Sequence, residues 1–295
     1  MVKIPITIGI AAYNEGKNIE KLFHSIIGQK LSKVKISQVI VVSSGSDDKT
    51  NNIASLFSKK KLITDLILQK KRFGKAKAVN IILNKAKEDI IVLVSADVLL
   101  TPNVIEKLVL PLQNHKTGIV GSRPVPVNKI NNFFGFYAHM LWNLHHLISL
   151  KNPKMGECIA FRKVFKQIPV LSSVDEVNIE SIVKSQGYKA VYVPSAIVYN
   201  KGPDNFRDLI TVRRRISAGH LAVKKEHGYT VSTFQGLKVI FFLLSNLFKL
   251  EGNKVWIVGV MVVEAYSRLL GWLDYKKGRK HTIWQMTEST KKLDR

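Results

Sequence analysis

The chain of 295 residues has little cysteine and few acidic residues for its length. Its single cysteine, Cys158, excludes an internal disulfide framework and is typical of a reducing compartment. Aspartate and glutamate number 21 against 46 lysines and arginines, which gives a formal charge of +25. Such a surface attracts phosphate groups, whether in nucleotides, nucleic acid or an anionic membrane. No nucleic-acid-binding module accompanies the charge, so we expect no nucleic-acid partner.

Three further absences narrow the class of protein. The first ten residues contain no apolar run ending in a small-residue cleavage site, so we predict no secretory signal and a cytoplasmic N-terminal domain. Neither a glycine-rich dinucleotide fingerprint nor a Walker-type phosphate loop occurs, which argues against a dinucleotide dehydrogenase and a P-loop NTPase. No uninterrupted apolar run reaches the roughly 20 residues that a membrane-spanning helix requires.

The first part of the chain alternates apolar, β-branched segments with segments of helical periodicity. The segments predict the strands 4–10, 39–42 and 89–94 and the helices 18–29, 50–57 and 76–87. Further along, the patterns predict the strands 118–126, 188–193 and 196–198, the last two on either side of Pro194, and the helices 133–150 and 176–186. Strands without polar alternation, separated by helices, indicate a mostly parallel sheet flanked by helices. We therefore predict one α/β domain over residues 1–230.

Residues 231–295 are predicted to form a distinct helical tail. Its apolar runs are 239–248, 255–263 and 269–273. The short runs, the flanking basic residues and the tryptophans Trp256 and Trp272 favour two amphipathic helices that lie in a membrane interface. Two alternatives remain: a spanning or re-entrant hairpin that pairs Glu264 with Arg268, and a soluble helical subdomain packed on the α/β domain.

The loops that follow the predicted strands contain the polar residues of interest. Open parallel sheets bind ligands beyond the carboxyl ends of their strands. The loops there contain Tyr13-Asn14-Glu15, the segment 43–48 and Ser95-Ala96-Asp97. Asp97 follows an apolar strand directly, so its carboxylate is a candidate ligand for a divalent cation. A helix N-cap is the alternative role for Asp97.

Six motifs occur in an order that resembles the family 2 inverting glycosyltransferases, which have the GT-A fold. The first three are Ala11-Ala12-Tyr13-Asn14-Glu15, Ser-Ser-Gly-Ser-Asp-Asp-Lys-Thr over 43–50, and Gly-Lys-Ala-Lys-Ala-Val-Asn over 74–80. The last three are Ser95-Ala96-Asp97 at the family's Asp-x-Asp motif, Asp175-Glu176 followed by Gly187-Tyr188, and Val212-Arg213-Arg214-Arg215-Ile216 at its Gln-x-x-Arg-Trp motif. The resemblance covers residues 4–216 and implies the GT-A fold, with the helical tail as a membrane-associated addition.

The resemblance implies a role for each matched position. Glu176 is the implied base that deprotonates the acceptor, with Asp175 as its neighbour or substitute. Asp97 is the implied ligand of Mn²⁺ or Mg²⁺, and His220 is a further candidate ligand. The implied donor-binding residues are Ala12, Tyr13, Glu15, Ser44, Asp48, Lys75, Ser95 and Ala96. The residues implied for the diphosphate or the acceptor are Gly156, Glu157, Arg213, Arg214 and Arg215.

Three departures from the family pattern affect what is expected. Ser43 replaces an aspartate that commonly contacts the nucleotide base in the family, so this position does not identify the base. A UDP-sugar is the favoured donor and a GDP-sugar the alternative. Ser95 replaces the first acid of Asp-x-Asp, which leaves Asp97 as the carboxylate of that motif. The glutamine and tryptophan that flank Arg215 in the family motif are absent, which favours transfer of a single sugar over processive synthesis.

These observations predict a metal-dependent inverting glycosyltransferase that moves one sugar from a nucleotide sugar to a lipid-linked or glycan acceptor. We expect it at the cytoplasmic face of the cell membrane, on an anionic surface, bound peripherally and not spanning it. A polyprenyl-phosphate glycosyltransferase is the alternative within catalysis. A non-catalytic GT-A scaffold or donor-binding protein is the alternative of another class, because Ser95 weakens the metal motif. His139, Asn143 and His146 share one predicted helical face, where acceptor contact or packing is favoured over a zinc site.

Overall fold

The computed structural model describes residues 2–230 and 254–293, so the predicted apolar run 239–248 lies outside the described residues. Eight strands of the described chain form one sheet. They are β1 (Ile4–Ala12), β2 (Val34–Ser44), β3 (Asp65–Gln69), β4 (Ile90–Ser95), β5 (Leu99–Leu100), β6 (Thr117–Pro126), β7 (Cys158–Arg162) and β8 (Lys189–Asn200).

Helices connect and cover these strands. In the described residues they are α1 (Ile19–Ile27), α2 (Thr50–Lys59), α3 (Lys75–Lys85), α4 (Val104–Val109), α5 (Phe133–Lys151), α6 (Asp175–Ser185), α7 (Phe206–His227) and α8 (Lys254–Lys276). Short 3₁₀ turns occupy Leu110–Gln113 and Glu288–Thr290.

The sheet is mixed but mostly parallel, in the strand order β3-β2-β1-β4-β7-β6-β8-β5. Strand β1 pairs in parallel with β2 and β4, β2 with β3, and β6 with β8. Strand β7 runs antiparallel between β4 and β6, and β5 runs antiparallel to β8. The predicted α/β class with a mostly parallel sheet is therefore confirmed.

Both faces of the central strands are buried, which explains their continuous apolar sequences. On one face, Ile6, Ile8 and Ile10 of β1 pack in a cluster with residues of α1, α2 and α4. On the other face, β2 and β4 pack against α3 and α6. A Cβ atom on Gly9 would lie 2.4 Å from Cγ2 of Ile82, so a glycine permits the close approach of α3 to β1.

The structure differs from the sequence prediction at β3, β5, β7 and β8, of which the two-residue strand β5 was not predicted. β8 continues through Pro194, where two separate strands were predicted, because a register shift opposite β6 lets the strand pass the proline. The five-residue strands β3 and β7 were not predicted. β3 lies at the edge of the sheet with four of its residues only partly buried, so its apolar signal is weak.

The described part of the predicted tail packs against the α/β domain. α8 is one helix of 23 residues that meets α7 and α5. Its acidic residues turn toward α7, where Glu264 pairs with Arg213 and Asp274 pairs with Arg214. By length and composition, α8 is also apolar enough to cross a membrane. Residues 277–293, which we call the C-terminal strap, return from α8 to the loop after β1.

Candidate active site

The carboxyl ends of β1, β2 and β4 open into a cavity of about 570 Å³. Ala12 ends β1, Ser44 ends β2 and Ser95 ends β4, and all three line the cavity. Residues of α5, α6, α7, α8 and the C-terminal strap complete its wall. The loops after parallel strands therefore meet at one site, as the sequence analysis expected.

A buried lysine joins two predicted motifs inside this cavity. Lys75 begins α3, and its Nζ lies 3.0 Å from Oδ2 of Asp175 and 3.1 Å from Oε1 of Glu176. Both carboxylates lie in the first turn of α6, where the helix dipole favours negative charge. The side chains of Lys75 and Glu176 are 15% and 22% exposed, whereas that of Asp175 is 2% exposed. Glu176 therefore faces the cavity, and Asp175 lies behind it.

The two carboxyl groups ionise differently. Burial and the neighbouring Glu176 charge raise the pKa of Asp175 to about 6, although Lys75 opposes the shift. Burial also opposes ionisation of Glu176, but the Lys75 ammonium and hydrogen bonds to the carboxylate outweigh it and hold the Glu176 pKa below its ordinary value. Glu176 is thus ionised at neutral pH and able to accept a proton.

Three other carboxylates accumulate negative charge beside this pair. Burial, followed by the charge of Asp97, raises the pKa of Glu15 to about 7. Burial and the charges of Asp97 and Glu176 raise the pKa of Glu157 to about 7. Asp97 therefore lies near both Glu15 and Glu157, and a cation bound among them would relieve the repulsion.

The residues present fit a hard divalent cation with few protein ligands. Carboxylate oxygens of Asp97 and Glu157 are the ligand type that Mn²⁺ and Mg²⁺ prefer. In residues 2–230 and 254–293, no group of three or more His, Cys, Asp or Glu side chains has a metal-binding arrangement. A metal at Asp97 would therefore depend on oxygen ligands of a bound substrate as well as on the protein.

Arg215 places a guanidinium group among the same carboxylates. The charges of Glu176, Asp175, Glu157 and Asp97 all act on it, and burial nevertheless lowers its pKa to about 10. Its guanidinium carbon lies 3.4 Å from the centroid of the Trp284 ring. Its Nη1 is buried and has no hydrogen-bond partner in the described structure. Arg215 therefore presents a free donor group in the cavity, suited to an anionic oxygen.

The two other arginines of the run are engaged with α8. Arg213 lines the cavity, but its Nε and Nη2 donate to the Glu264 carboxylate at 2.5 and 2.9 Å. Arg214 donates to the Asp274 carboxylate and does not line the cavity. Of the three, Arg215 is the one on which the charges of Asp97, Glu157, Asp175 and Glu176 act.

The part of the cavity wall contributed by α5, α7 and α8 is called the apolar arm here. It is largely apolar and includes Met140, Leu141, Leu144, Leu209, Val212, Val260 and Met261. Lys154 and Arg268 also line the cavity, and the Lys154 charge interacts with that of Glu176. Burial followed by the Arg213 charge lowers the pKa of Lys154 to about 8. The cavity thus combines the apolar arm with the positive charges of Lys154 and Arg268.

The cavity brings most of the sequence-predicted site residues together. Those that line it are Ala12, Tyr13, Glu15, Ser44, Lys75, Ser95, Ala96, Asp97, Gly156, Glu157, Glu176, Arg213, Arg215 and His220. Asp48 does not line it; its carboxylate accepts from the backbone N–H groups of Gly16 and Thr50. Asp48 therefore shapes the loop beside the donor motif without facing the cavity.

The histidines do not assemble into a metal site among the described residues. His220 lies near the cations Lys154, Arg213 and Arg268, and burial followed by these charges lowers its pKa well below the ordinary value. His139 contacts the Asn128 carbonyl at 2.9 Å, and His146 contacts the Tyr192 hydroxyl at 2.8 Å. Their surroundings are those of packing and polar contact, not of shared metal ligation.

Several residues that line the cavity were not predicted, among them Lys154, Trp284 and Lys291. Lys154 stands alone between predicted elements, and Trp284 and Lys291 belong to the strap, which was assigned to the tail. Lys291 donates to the Tyr13 carbonyl at 3.1 Å and pairs with Glu15. Because these contacts join opposite ends of the chain, no local pattern records them.

Comparison with known proteins places this architecture in a family. The model of glycosyl transferase family 2 matches residues 7–170, more than half of the chain. The chain therefore belongs to glycosyl transferase family 2, a family of glycosyltransferases, and its sheet and flanking helices form the GT-A fold.

The chain is also similar to individual relatives and solved structures, at low sequence identity. The chain is 27% identical over 198 residues to a dolichol-phosphate mannosyltransferase of Pyrococcus furiosus, a match that covers 64% of this chain but only 55% of the relative. It is similar in fold to a mannosyltransferase of Pyrobaculum calidifontis in complex with GDP-Man and Mn²⁺, with a TM-score of 0.63 and 20% identity. The match covers 95% of this chain and 84% of that protein. It is also similar in fold to a glucosyl-3-phosphoglycerate synthase of Mycobacterium tuberculosis in complex with Mn²⁺ and UDP, with a TM-score of 0.51 and 17% identity. That match covers 78% of this chain and 82% of that protein.

Proposed function

We propose that this protein is an inverting glycosyltransferase that transfers a single sugar from a nucleotide sugar to a lipid-linked acceptor. The observation that carries the proposal is the contact of 3.1 Å between Lys75 and Glu176 in a cavity that is also lined by Arg215 and by the residues of the apolar arm. A nucleotide sugar suits the loops after β1, β2 and β4, and a lipid chain suits the arm between α5, α7 and α8. The similarity to a dolichol-phosphate mannosyltransferase supports a lipid acceptor.

Four residues of the cavity have roles in the proposed transfer of the sugar. Glu176 accepts the proton of the acceptor hydroxyl while the hydroxyl oxygen bonds to the anomeric carbon from the side opposite the leaving group. The bond between the anomeric carbon and the phosphate oxygen breaks, and the nucleoside diphosphate departs with the electron pair. Arg215 stabilises the charge that develops on the diphosphate. Asp97 and Glu157 would hold Mn²⁺ or Mg²⁺, which supplies further positive charge for the diphosphate when bound.

A polyprenyl phosphate is the second candidate acceptor. Lys154 and Arg268 line the same cavity, where they would meet a lipid phosphate. A phosphate oxygen is already ionised and needs no base, so Glu176→Gln separates the two acceptors. A loss of activity of about 10²-fold or more indicates a hydroxyl acceptor, the range expected for a general base. Activity that withstands Glu176→Gln but falls in Lys154→Met indicates a phosphate acceptor.

The proposed location is the cytoplasmic face of a membrane, with α8 lying along the surface. Val255, Val258, Val262, Tyr266, Leu269 and Trp272 recur at helical spacing on α8, and each is at least 45% exposed. The opposite side of α8 is tied lengthwise to α7 by the Glu264 and Asp274 ion pairs. That attachment favours an interfacial helix over one that spans the bilayer.

The experiment that tests the donor half of the proposal is calorimetric binding of UDP- and GDP-sugars with and without Mn²⁺. We expect metal-dependent binding in the wild type and in Glu176→Gln, and a loss of that dependence in Asp97→Ala. The preferred base identifies the nucleotide. Absence of metal-dependent binding to every nucleotide sugar would support the non-catalytic scaffold instead.

A further inference from the structure

The C-terminal strap, residues 277–293, lines the cavity and is held by contacts near both of its ends. Near its start, His281 contacts the Asp274 carboxylate at 2.9 Å. At its end, the Leu293 amide donates to the Asn18 side chain at 2.9 Å, and Lys21 Nζ donates to the Leu293 carbonyl at 2.6 Å. The Leu293 side chain is fully buried. The strap is therefore attached to α8 near its start and to the α/β domain at its end.

The strap contacts the two ends of the donor cavity. Lys291 binds the carbonyl of Tyr13 and the carboxylate of Glu15, both in the first donor motif. Trp284 stacks on Arg215, and Lys75 Nζ lies 5.2 Å from the centroid of the same ring. One segment thus touches both the loop after β1 and the basic residues at the proposed reaction centre.

Glycine at position 74 allows this close approach. Gly74 has a φ of +91°, and a Cβ atom there would lie 2.5 Å from the carbonyl oxygen of Thr282. Gly74 directly precedes Lys75 in the third motif. The strap backbone consequently lies against the start of α3, which brings Trp284 over Lys75.

Two stacked donor groups have no acceptor in the described structure. Nε1 of Trp284 and Nη1 of Arg215 are buried and without hydrogen-bond partners. Buried N–H groups are normally paired, so this arrangement is suited to an oxygen-rich ligand that accepts from both. The family motif has a tryptophan directly after the arginine, where this chain has Ile216. Here a tryptophan ring reaches the same arginine from the strap.

We propose that the strap is part of the donor-binding site. In this proposal, which rests on the proposed function, the Trp284 N–H donates to an oxygen of the bound nucleotide-sugar donor beside Arg215. Lys291 is a positioning residue that holds Glu15 and the loop after β1 in place for the nucleotide. The segment predicted as tail thereby contributes to substrate binding.

Calorimetric titration of the full chain with GDP and with UDP, each with Mn²⁺, tests the proposal. Trp284→Phe keeps a ring over Arg215 but removes the N–H, and Lys291→Met removes the ammonium. We expect each to weaken binding of the preferred nucleotide by about tenfold, the size expected for a lost hydrogen bond to a charged group. Lys291→Arg should restore binding to within about threefold of the wild type, because it keeps the charge.

Ile283→Ala and Lys280→Met are the matched controls, since both residues are exposed neighbours on the strap that do not line the cavity. They should bind the nucleotide as the wild type does. Wild-type binding that persists unchanged in Trp284→Phe and Lys291→Met overturns the strap proposal alone. A wild type that binds neither nucleotide overturns the proposed function and the strap proposal with it.

Amide hydrogen exchange of the wild type supplies a second readout that requires no variant. We expect the bound nucleotide with Mn²⁺ to slow exchange within residues 281–293. Saturation with nucleotide that leaves exchange of this segment unchanged would also overturn a role of the strap in binding.

Discussion

At the scale of single residues, the site depends on the placement of one cation. Lys75 lies within 3.1 Å of two carboxylates, and its own pKa is raised because their charges outweigh the effect of burial. The same ammonium lowers the pKa of Glu176. Lys75 thus connects the third motif with the proposed base, a contact that the sequence of neither motif predicts.

We predict that Lys75→Met slows sugar transfer and shifts its pH dependence. Without the ammonium, the Glu176 pKa rises, so the base is protonated at pH values where it is ionised in the wild type. The acid limb of the rate profile should move to higher pH, and kcat/KM at neutral pH should fall by about 10²-fold or more. Measurement of kcat/KM between pH 5 and pH 9 checks the shift.

Lys77→Met is the control for Lys75→Met. Lys77 lies on the same helix, but its Nζ sits over the Phe73 ring, 4.0 Å from its centroid, and it does not line the cavity. Its rate profile should match that of the wild type. A Lys75→Met profile with an unmoved acid limb would contradict the assignment of Glu176 as the titrating base.

At the scale of elements, two acidic residues within the largely apolar helix α8 hold it on α7. Glu264 pairs with Arg213, and Asp274 pairs with Arg214. Glu264 accepts hydrogen bonds from Arg213, from Arg268 at 3.3 Å and from the Tyr137 hydroxyl. This group ties α5, α7 and α8 together around the apolar arm. The polar residues that interrupt the apolar run of the tail are therefore packing contacts within one continuous helix.

We predict that Glu264→Gln destabilises the protein and loosens the arm. Removing one member of a largely buried ion pair leaves Arg213 without its partner and costs about 3–5 kcal/mol. The midpoint of chemical denaturation should fall accordingly. Glu226→Gln, which changes an exposed glutamate near the end of α7, should change the midpoint little. Equal midpoints for the two variants would contradict the structural importance of the Glu264 cluster.

At the scale of the whole molecule, the net charge and the exposed apolar surface of α8 both support the proposed location on a membrane. The chain carries a formal charge of +25, and α8 exposes an apolar stripe. Cationic surfaces attract anionic lipid, and apolar residues at the interface add affinity. Both properties favour a protein that works on a membrane surface.

We predict that the protein co-sediments with vesicles of phosphatidylglycerol and phosphatidylcholine and binds pure phosphatidylcholine less well. Binding should weaken as salt increases, because salt screens charge attraction. Val258→Asp combined with Val262→Asp should lower the bound fraction severalfold by placing charge on the stripe. Leu56→Asp combined with Leu68→Asp changes exposed apolar residues elsewhere and is the control. Equal loss in both double variants would contradict a specific role of α8.

The predictable part of the fold follows from local patterns. The strands of the central sheet are apolar on both faces, so their sequences differ clearly from those of the helices around them. The edge strand β3 and the proline-containing strand β8 were predicted poorly, because their neighbours decide their pairing. Most of the cavity residues that were predicted lie next to strand ends or at helix starts, whereas Arg213, Arg215 and His220 lie in the middle of α7.

The sequence by itself determined the α/β class, the order of the motifs and the clustering of their loops, because periodicity and strand-end position are local properties of the chain. Only the tertiary structure decided which arginines of the run face the cavity and which residues complete the site. Arg214 and Arg215 are adjacent, yet one pairs with α8 and the other lies among carboxylates. Lys291 and Glu15 are 276 residues apart and meet because the strap returns to β1. Contacts over that separation depend on how the elements pack, and no local pattern specifies them.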